Sequence, residues 1–330
     1  MRFAALGRTH WLYDAIIEAA RRGHQPALIG TCPAAPEYRR TERDFEALAR
    51  ELDVPFFCDA RINRAEYVEM CRASGAPVAI SVNWLTLVGA EVRAAFPLGV
   101  VNAHLGDLPR YRGNAVPNWA ILNGEARVAL TLHEMSDDLD AGDIYLQEPF
   151  ALGDDTYIGD VYRFADAAMP AAFARLLDGL DDGTVVKRPQ STDPADALRC
   201  FPRTPADGLL EWSAPATQLA RLVRASAEPF AGAYTYLDGE RLTVWRAYAA
   251  ELPYPWVGRP GQVAERRAET GEVAVLTGQG VLVLQEVETA AGRMPAARAL
   301  PSTRTRLGLD ADALWRRVRE LESRLAAETE

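Results

Sequence analysis

Apolar and polar positions alternate along the first half of the chain in a repeating rhythm. Arg2 to Leu6, Ala27 to Thr31, Phe56 to Cys58, Val78 to Val82 and Leu98 to Val101 are short apolar runs of strand length. The stretches between them, Tyr13 to Ala20, Phe45 to Leu52 and Ala65 to Ala73, repeat apolar residues at helical spacing. Strands alternating with helices imply βαβ units, hence an α/β, Rossmann-like parallel sheet covered on both faces. A helix over about Ala115 to Leu122 follows, then strands over Arg127 to Met135 and Ile144 to Phe150, then a long helix over Ile158 to Leu177.

The rhythm breaks at Lys187 to Thr204, where Pro189, Pro194 and Pro202 punctuate a stretch with few apolar positions. We read 1–187 as one domain, 188–204 as a linker and 205–330 as a second domain. The latter has one short helix, Ala214 to Ala225, and strands over Ala233 to Leu237, Leu242 to Ala247, Gln262 to Ala264, Glu272 to Leu276 and Val281 to Val287. Gly and Pro separate these strands, and Asp238-Gly239 is a hairpin signal, so a small β-rich barrel is expected. In the tail, Asp310 to Ala327, one stripe carries Leu314, Val318, Leu321 and Leu325. It is read as packing on its own domain, with a contact between two copies as the alternative.

Composition narrows the class. At 330 residues and 48% hydrophobic content the chain can bury a core in each of two domains. A net charge of −10 opposes tight binding to a polyanion, since phosphate neutralisation dominates nucleic-acid affinity. Cys32, Cys58, Cys71 and Cys200 show neither Cys-x-x-Cys pairing nor a histidine at ligand spacing, so neither a metal nor a disulfide framework is expected. Met1 to Leu6 runs directly into a strand and no apolar stretch reaches spanning length, so the expectation is a cytoplasmic protein without a membrane partner.

Chemistry concentrates in Val101-Asn102-Ala103-His104-Leu105-Gly106-Asp107-Leu108-Pro109-Arg110-Tyr111-Arg112-Gly113 and in Leu139-Asp140-Ala141-Gly142-Asp143. Residues two apart on a strand share a face, so Asn102 and His104 should emerge together where the run ending at Val101 stops. Active sites on such sheets lie beyond the carboxyl ends of the strands. Asn102 can offer amide N–H groups to a developing oxyanion, His104 can accept a proton near neutral pH, and Asp140 can fix the imidazole and stabilise its charged form. That combination suits acyl transfer.

The pattern Asn-x-His-x-x-x-Leu-Pro-x-Tyr-Arg-Gly, then Pro117, Trp119-Ala120-Ile121 and Asn123-Gly124-Glu125, then Leu-Asp-x-Gly-Asp, resembles the 10-formyltetrahydrofolate-dependent formyltransferases. The resemblance continues in Pro205-Ala206-Asp207-Gly208-Leu209-Leu210-Glu211-Trp212 and Pro229-Phe230-Ala231-Gly232-Ala233-Tyr234, which are similar to the carboxy-terminal barrel of methionyl-tRNA formyltransferase and of some amino-sugar formyltransferases. By position, Asn102, His104 and Asp140 match the family's catalytic residues. The resemblance implies 10-formyltetrahydrofolate as cosubstrate, with Val82 to Leu87, and so Trp84, Leu85, Thr86 and Leu87, walling the folate. Many relatives have serine where this chain has Gly106 and leucine where it has Asp107, which alters the amine pocket and spares the trio. A homodimer is expected from the family and the terminal helix.

The acceptor amine divides the family. From Phe201 onward the chain has no lysine and a near balance of acids and arginines, and no basic insertion is evident around Cys32 to Arg43. Initiator tRNA, which needs a broad positive surface, is therefore set second, and no nucleic-acid partner is expected. The wording from Gly106 to Trp119 is most similar to enzymes that formylate nucleotide-linked 4-amino sugars for surface glycans, with Asn114, Asn118 and Trp119 near the sugar. His10 and Trp11 open the first helix, where they could touch a substrate. Arg39, Arg40 and Arg43, among Glu37, Glu42 and Asp44, form either a solvated helix face or a diphosphate clamp. His133 reads as a satisfied sheet residue. The same motifs also fit a formyltetrahydrofolate hydrolase or a folate-binding regulatory protein without turnover.

Overall fold

The computed structural model describes residues 1–35, 38–309 and 311–329. Glu37 of the charged cluster, Asp310, and the side chain of Leu325 in the terminal stripe lie outside the described residues. The first strand, β1 (Arg2–Gly7), is central because both its faces are covered. Phe3 and Ala5 enter one apolar layer, and Ala4 and Leu6 enter the other. The chain continues through α1 (Thr9–Arg21), β2 (Gln25–Thr31), α2 (Glu42–Glu51), β3 (Phe56–Cys58), α3 (Ala65–Ala73), β4 (Val78–Val82), α4 (Ala90–Arg93), β5 (Val100–His104), β6 (Tyr111–Gly113), α5 (Val116–Asn123), β7 (Arg127–Glu134), β8 (Ile144–Ala151) and α6 (Ile158–Asp181).

The main sheet has the order β3-β2-β1-β4-β5-β7-β8. Pairing is parallel from β3 to β5, whereas β7 and β8 run antiparallel, so the sheet is mixed at one edge. The short β7–β8 connection leaves no room for a crossover helix and turns straight back. One face is covered by α1, α2 and α6 through residues such as Leu12, Ile16, Phe45, Met169 and Phe173, and the other by α3 and α4 through Val68, Cys71 and Val92. Helix α1 has no side-chain cap at its N-terminus. Burial of Trp11, Leu12 and Ile16, each of a type worth about 1.5 to 3 kcal/mol, holds it instead.

One strand boundary differs from the reading of the apolar run. Leu98 is exposed and Gly99 precedes the strand, while β5 runs on to His104 because Asn102 and His104 pair with His133 and Thr131 of β7. Backbone pairing carries the strand past the last apolar residue, so the two polar residues sit in the strand and not after it.

The segment from 188 to 202 is more than a connector. It holds β9 (Leu198–Cys200), which lies parallel to β6 with Tyr111 opposite Leu198 and Gly113 opposite Cys200. Then come α7 (Ala216–Ser226), β10 (Ala233–Leu237), β11 (Glu240–Ala250), β12 (Val263–Arg267), β13 (Glu272–Leu276), β14 (Val281–Thr289), β15 (Gly292–Pro295), α8 (Ala296–Ala299) and α9 (Ala311–Thr329). The second sheet is antiparallel with the order β10-β11-β14-β13-β12, and β15 pairs with β14. Among the described residues no ladder joins β12 back to β10, so the small barrel is an open one. Asp238 and Gly239 both take positive φ at the β10–β11 turn, as the hairpin signal required. Leu219 and Val223 of α7 share a core with Val244, Leu282 and Leu284.

Two compact units result: Met1–Ala120 with Glu125–Gly153 and Asp160–Pro202, and Ile121–Gly124 with Asp154–Gly159 and Arg203–Glu330. The described side chains of the terminal stripe, Leu314, Val318 and Leu321, are exposed on α9, as is Trp315, contrary to the expectation that the stripe packs on its own domain. Among the described residues no helix is long and apolar enough to cross a membrane.

Candidate active site

Strand alternation turns Asn102 and His104 to the same face of β5, and antiparallel pairing sets His133 of β7 beside them. His104 is buried, and its Nε2 lies 2.7 Å from the backbone carbonyl of Tyr111. A carbonyl only accepts, so Nε2 carries the hydrogen and donates, leaving Nδ1 of the neutral imidazole as the basic nitrogen. Nδ1 faces Oδ2 of Asp140 at 3.7 Å, close enough for charge stabilisation and too far for a direct hydrogen bond. Burial pushes the His104 pKa down, and His133 adds to this. The Asp140 carboxylate and the Tyr111 carbonyl oppose it without prevailing. His104 is therefore a neutral base at physiological pH.

Asp140 comes from the loop after β7 and takes a left-handed φ of 51°, a conformation that aspartate tolerates better than most residues. Burial alone would raise its pKa. The combined pull of His104, His133 and the Gly113 N–H, which donates to Oδ2 at 2.8 Å, holds it well below the usual carboxylate range. Gly142 explains the Leu-Asp-x-Gly-Asp spacing: an added Cβ there would lie 2.0 Å from the Glu134 carbonyl oxygen. Asp143 points elsewhere, toward Lys187 at 3.9 Å.

The expectation of a sheet residue at His133 holds for its backbone, but its ring joins the cluster. Its Nδ1 donates to the Glu134 carbonyl at 3.0 Å, so in the neutral ring Nε2 is the acceptor. Nε2 lies 3.4 Å from Nδ2 of Asn102 and 3.5 Å from Oδ1 of Asp140. Asn102 thus turns its amide nitrogen toward His133 and keeps a second N–H for another acceptor. Only the antiparallel turn of β7 onto β5 brings this histidine in, and no local pattern in the sequence announces that turn.

These side chains line a cleft of about 480 Å³. Its walls include Trp84, Thr86, Leu87 and Arg93 on one side, Trp11, Tyr162 and Met169, and Asn114 with Pro117. Thr86 Oγ1 donates to the Ala60 carbonyl at 2.7 Å and accepts from Trp84 Nε1 at 3.3 Å. Asn63 donates to the Leu87 carbonyl at 2.9 Å and accepts from the Gly89 N–H at 2.6 Å. The loop backbone is thereby fixed while Leu87 is left 75% exposed. Arg93 donates to the Val88 carbonyl at 2.8 Å and pairs with Asp137. Among the described residues no group of three or more His, Cys, Asp or Glu forms a metal site.

The remaining expected contacts stand outside the cleft lining. Leu85 is exposed beside it, and Asn118 is buried in α5. Trp119 donates from Nε1 to the Phe201 carbonyl at 2.9 Å. His10 and Arg39 meet at Asp166, at 2.7 and 3.1 Å, so neither is presented to the cleft, although Trp11, bonded to the same carboxylate, is. Arg40 stacks over Tyr13 and pairs with Asp44.

Comparisons with known proteins agree with this architecture. HypX from Aquifex aeolicus, solved in complex with tetrahydrofolic acid, matches at 19% identity and a TM-score of 0.58 over 92% of this chain. The match covers 47% of the HypX chain, so this chain spans about half the length of that relative. An N-formyltransferase from Helicobacter canadensis, solved with folinic acid and dTDP-3-aminofucose, matches at 12% identity and a TM-score of 0.62, covering 86% of this chain and 97% of that one. A 4-N formyltransferase from Francisella tularensis matches at 14% identity and a TM-score of 0.57, covering 73% and 94%. At these identities the likeness is one of fold. Residues 1–177 match the formyl transferase family and residues 203–303 match the formyl transferase C-terminal domain, and on these two matches the chain belongs to the formyl transferase family of one-carbon transfer enzymes.

Proposed function

We propose that this enzyme transfers the formyl group of 10-formyltetrahydrofolate to the amine of a nucleotide-linked 4-amino-4-deoxy sugar, in the cytoplasm and in the service of surface-glycan synthesis. The observation that carries the reading is the meeting of Asn102, the basic Nδ1 of His104 and the ionised Asp140 at one wall of the cleft. A neutral amine attacks the formyl carbon, and the C–N bond forms as the carbonyl oxygen gains charge. The free N–H of Asn102 donates to that oxygen, a contact of a kind worth about 2.7 to 4 kcal/mol. Nδ1 of His104 takes the proton that the attacking nitrogen sheds. The resulting imidazolium is stabilised by Asp140, and the proton then passes to the departing folate nitrogen as its C–N bond breaks.

The folate reading is supported by the chemistry of the cleft lining from Trp84 to Leu87. Trp84, Thr86 and Leu87 combine apolar surface with a loop whose backbone is held by Asn63, the mix that a flat heteroaromatic ligand requires. The tetrahydrofolate and folinic acid named with the HypX and Helicobacter structures agree with it. The amino-sugar reading is supported by the dTDP-3-aminofucose of the latter and by the lack of lysine after residue 200. Four unpaired cysteines suit a reducing compartment.

The test is a panel of acceptors, UDP- and dTDP-linked 4-amino sugars beside initiator methionyl-tRNA, each with 10-formyltetrahydrofolate. Tetrahydrofolate release is followed by absorbance and the formamide by mass spectrometry. Turnover with a nucleotide sugar and none with tRNA is expected. Formylation of tRNA alone would overturn the acceptor, and formate release without any amine would make the enzyme a hydrolase.

A further inference from the structure

The segment between the two matched domains makes contacts that the reaction as described does not use. Arg188 exchanges backbone hydrogen bonds with Ile144 at 2.7 and 2.8 Å, anchoring the chain beside β8. Two residues on, Gln190 reaches both halves of the site. Its Nε2 donates to the carbonyls of Asp140 and Gly142 at 2.8 and 2.7 Å, and its Oε1 accepts from Nη2 of Arg112 at 2.9 Å. Two carbonyls can only accept and a guanidinium can only donate, so the orientation of the carboxamide is dictated by its surroundings. No hydrogen-bonding hydrogen of this side chain is left over.

The two ends of that bridge are the two supports of the catalytic pair. Arg112 lies in β6, whose neighbours on either side do the holding: the Tyr111 carbonyl takes the His104 Nε2 hydrogen, and the Gly113 N–H donates to Asp140. The other end is the backbone of Asp140 itself, at a φ that few non-glycine residues adopt. Beyond Gln190 the same segment returns as β9 along β6. Beside the Gly113–Asp140 hydrogen bond, this one side chain ties the strand that orients the imidazole to the backbone of the loop that carries its carboxylate.

We propose that Gln190 is a positioning residue that holds Asp140 against His104, an inference that rests on the pairing of those two residues in the proposed function. Asp140 and His133 are the titratable groups that face His104. The carboxylate raises the imidazole's affinity for a proton, so any change that lets Asp140 drift away lowers the His104 titration midpoint.

The experiment follows the Cε1–H resonance of His104 by NMR titration. It is one of only four histidines and can be assigned with His104→Ala. Asp140→Asn is expected to lower the midpoint. Gln190→Met, which keeps the length and removes every hydrogen bond, is expected to lower it in the same direction by at least half as much. The double variant should match Asp140→Asn alone. With 10-formyltetrahydrofolate and a dTDP-4-amino sugar, Gln190→Met should lower kcat about tenfold and leave both KM values within twofold. Arg112→Met, which cuts the clamp from its other end, is read in the same way should Gln190→Met not fold. A midpoint that moves in Asp140→Asn and stays put in a folded Gln190→Met protein overturns the clamp. One that moves in neither variant overturns the His104–Asp140 pairing and the clamp with it.

Discussion

The two walls of the cleft are built on opposite plans. On the wall of the trio, nearly every polar atom is committed: His104 to Tyr111, Asp140 to Gly113, His133 to Glu134, and the loop carbonyls to Gln190. On the wall of Trp84, Thr86 and Leu87 the backbone is pinned while the side chain of Leu87 is left exposed. Chemistry at a carbonyl needs groups held to a fraction of an ångström, whereas recognition of a flat apolar ligand needs surface that the ligand itself will cover. Substitutions on the first wall should therefore lower kcat and those on the second should raise KM.

The sharpest contrast comes from His104→Ala. General acid–base groups contribute typically about 10²- to 10⁴-fold, and a reduction of kcat within that range with little change in KM for folate is expected in steady-state assays. Gly106→Ala should come next, although it changes only one methyl group. Its Cβ would lie 2.4 Å from His104 Nε2 and 2.5 Å from the Tyr111 carbonyl oxygen. The backbone cannot retreat readily, because the Gly106 carbonyl accepts from Thr131 Oγ1 at 2.7 Å and from the Leu108 N–H at 2.9 Å. The position therefore bears on His104 directly, contrary to the expectation that a change there spares the trio, and the imidazole must leave its carbonyl partner. We expect a loss of roughly 10- to 100-fold in kcat and, from overpacking, about 1 to 3 kcal/mol of stability, read by kinetics and by denaturant unfolding. A variant with kcat within twofold of the parent would remove the tautomer argument.

The residues around the trio also show where the sequence could be read. Asn102, His104 and Asp140 were legible because a strand's alternation and a polar Gly- and Pro-rich loop are local signals, and the family pattern joined the two segments. The strands of the seven-stranded sheet were legible for the same reason, β7 and β8 included, whereas the antiparallel pairing of those two was not. His133 and Gln190 were not: one enters through antiparallel pairing of β7 on β5, the other from within the proline-punctuated segment that follows the first domain. Both depend on tertiary contacts between distant segments, and nothing in the spacing of their neighbours carries that information. The apolar stripe of α9 misled in the opposite way, since amphipathic spacing says that a face exists and not what lies against it.

The pH profile sharpens the comparison on the chemical wall alone. His104 acts as a base, so activity falls as it gains a proton, and burial holds its pKa below the ordinary imidazole value of about 6.5. The acid limb of kcat/KM should accordingly have its midpoint below that value, with activity retained through pH 6.5. Asp140, held lower still, stays ionised across the range and adds no second limb there. A midpoint above 6.5 would mean that the carboxylate outweighs burial, reversing the order of the two effects.

The smallest expected effect belongs to the other wall. Leu87 is 75% exposed, so replacing it with serine removes almost nothing from the folded protein's own core, and the unfolding midpoint should not move. If the folate ring system covers this side chain, the bound state loses part of the 1.5 to 3 kcal/mol that full burial of a leucine is worth, roughly 1 kcal/mol for a partly covered side chain. That corresponds to about a fivefold rise in KM for 10-formyltetrahydrofolate, with kcat unchanged because an aliphatic side chain neither moves a proton nor stabilises charge in the reaction. Isothermal titration with tetrahydrofolate separates binding from turnover and should give the same factor. A Leu87→Ser enzyme with unaltered folate affinity and lowered kcat would mean that this stretch belongs to the chemistry after all, and the division of labour within the cleft would fail at an exposed leucine.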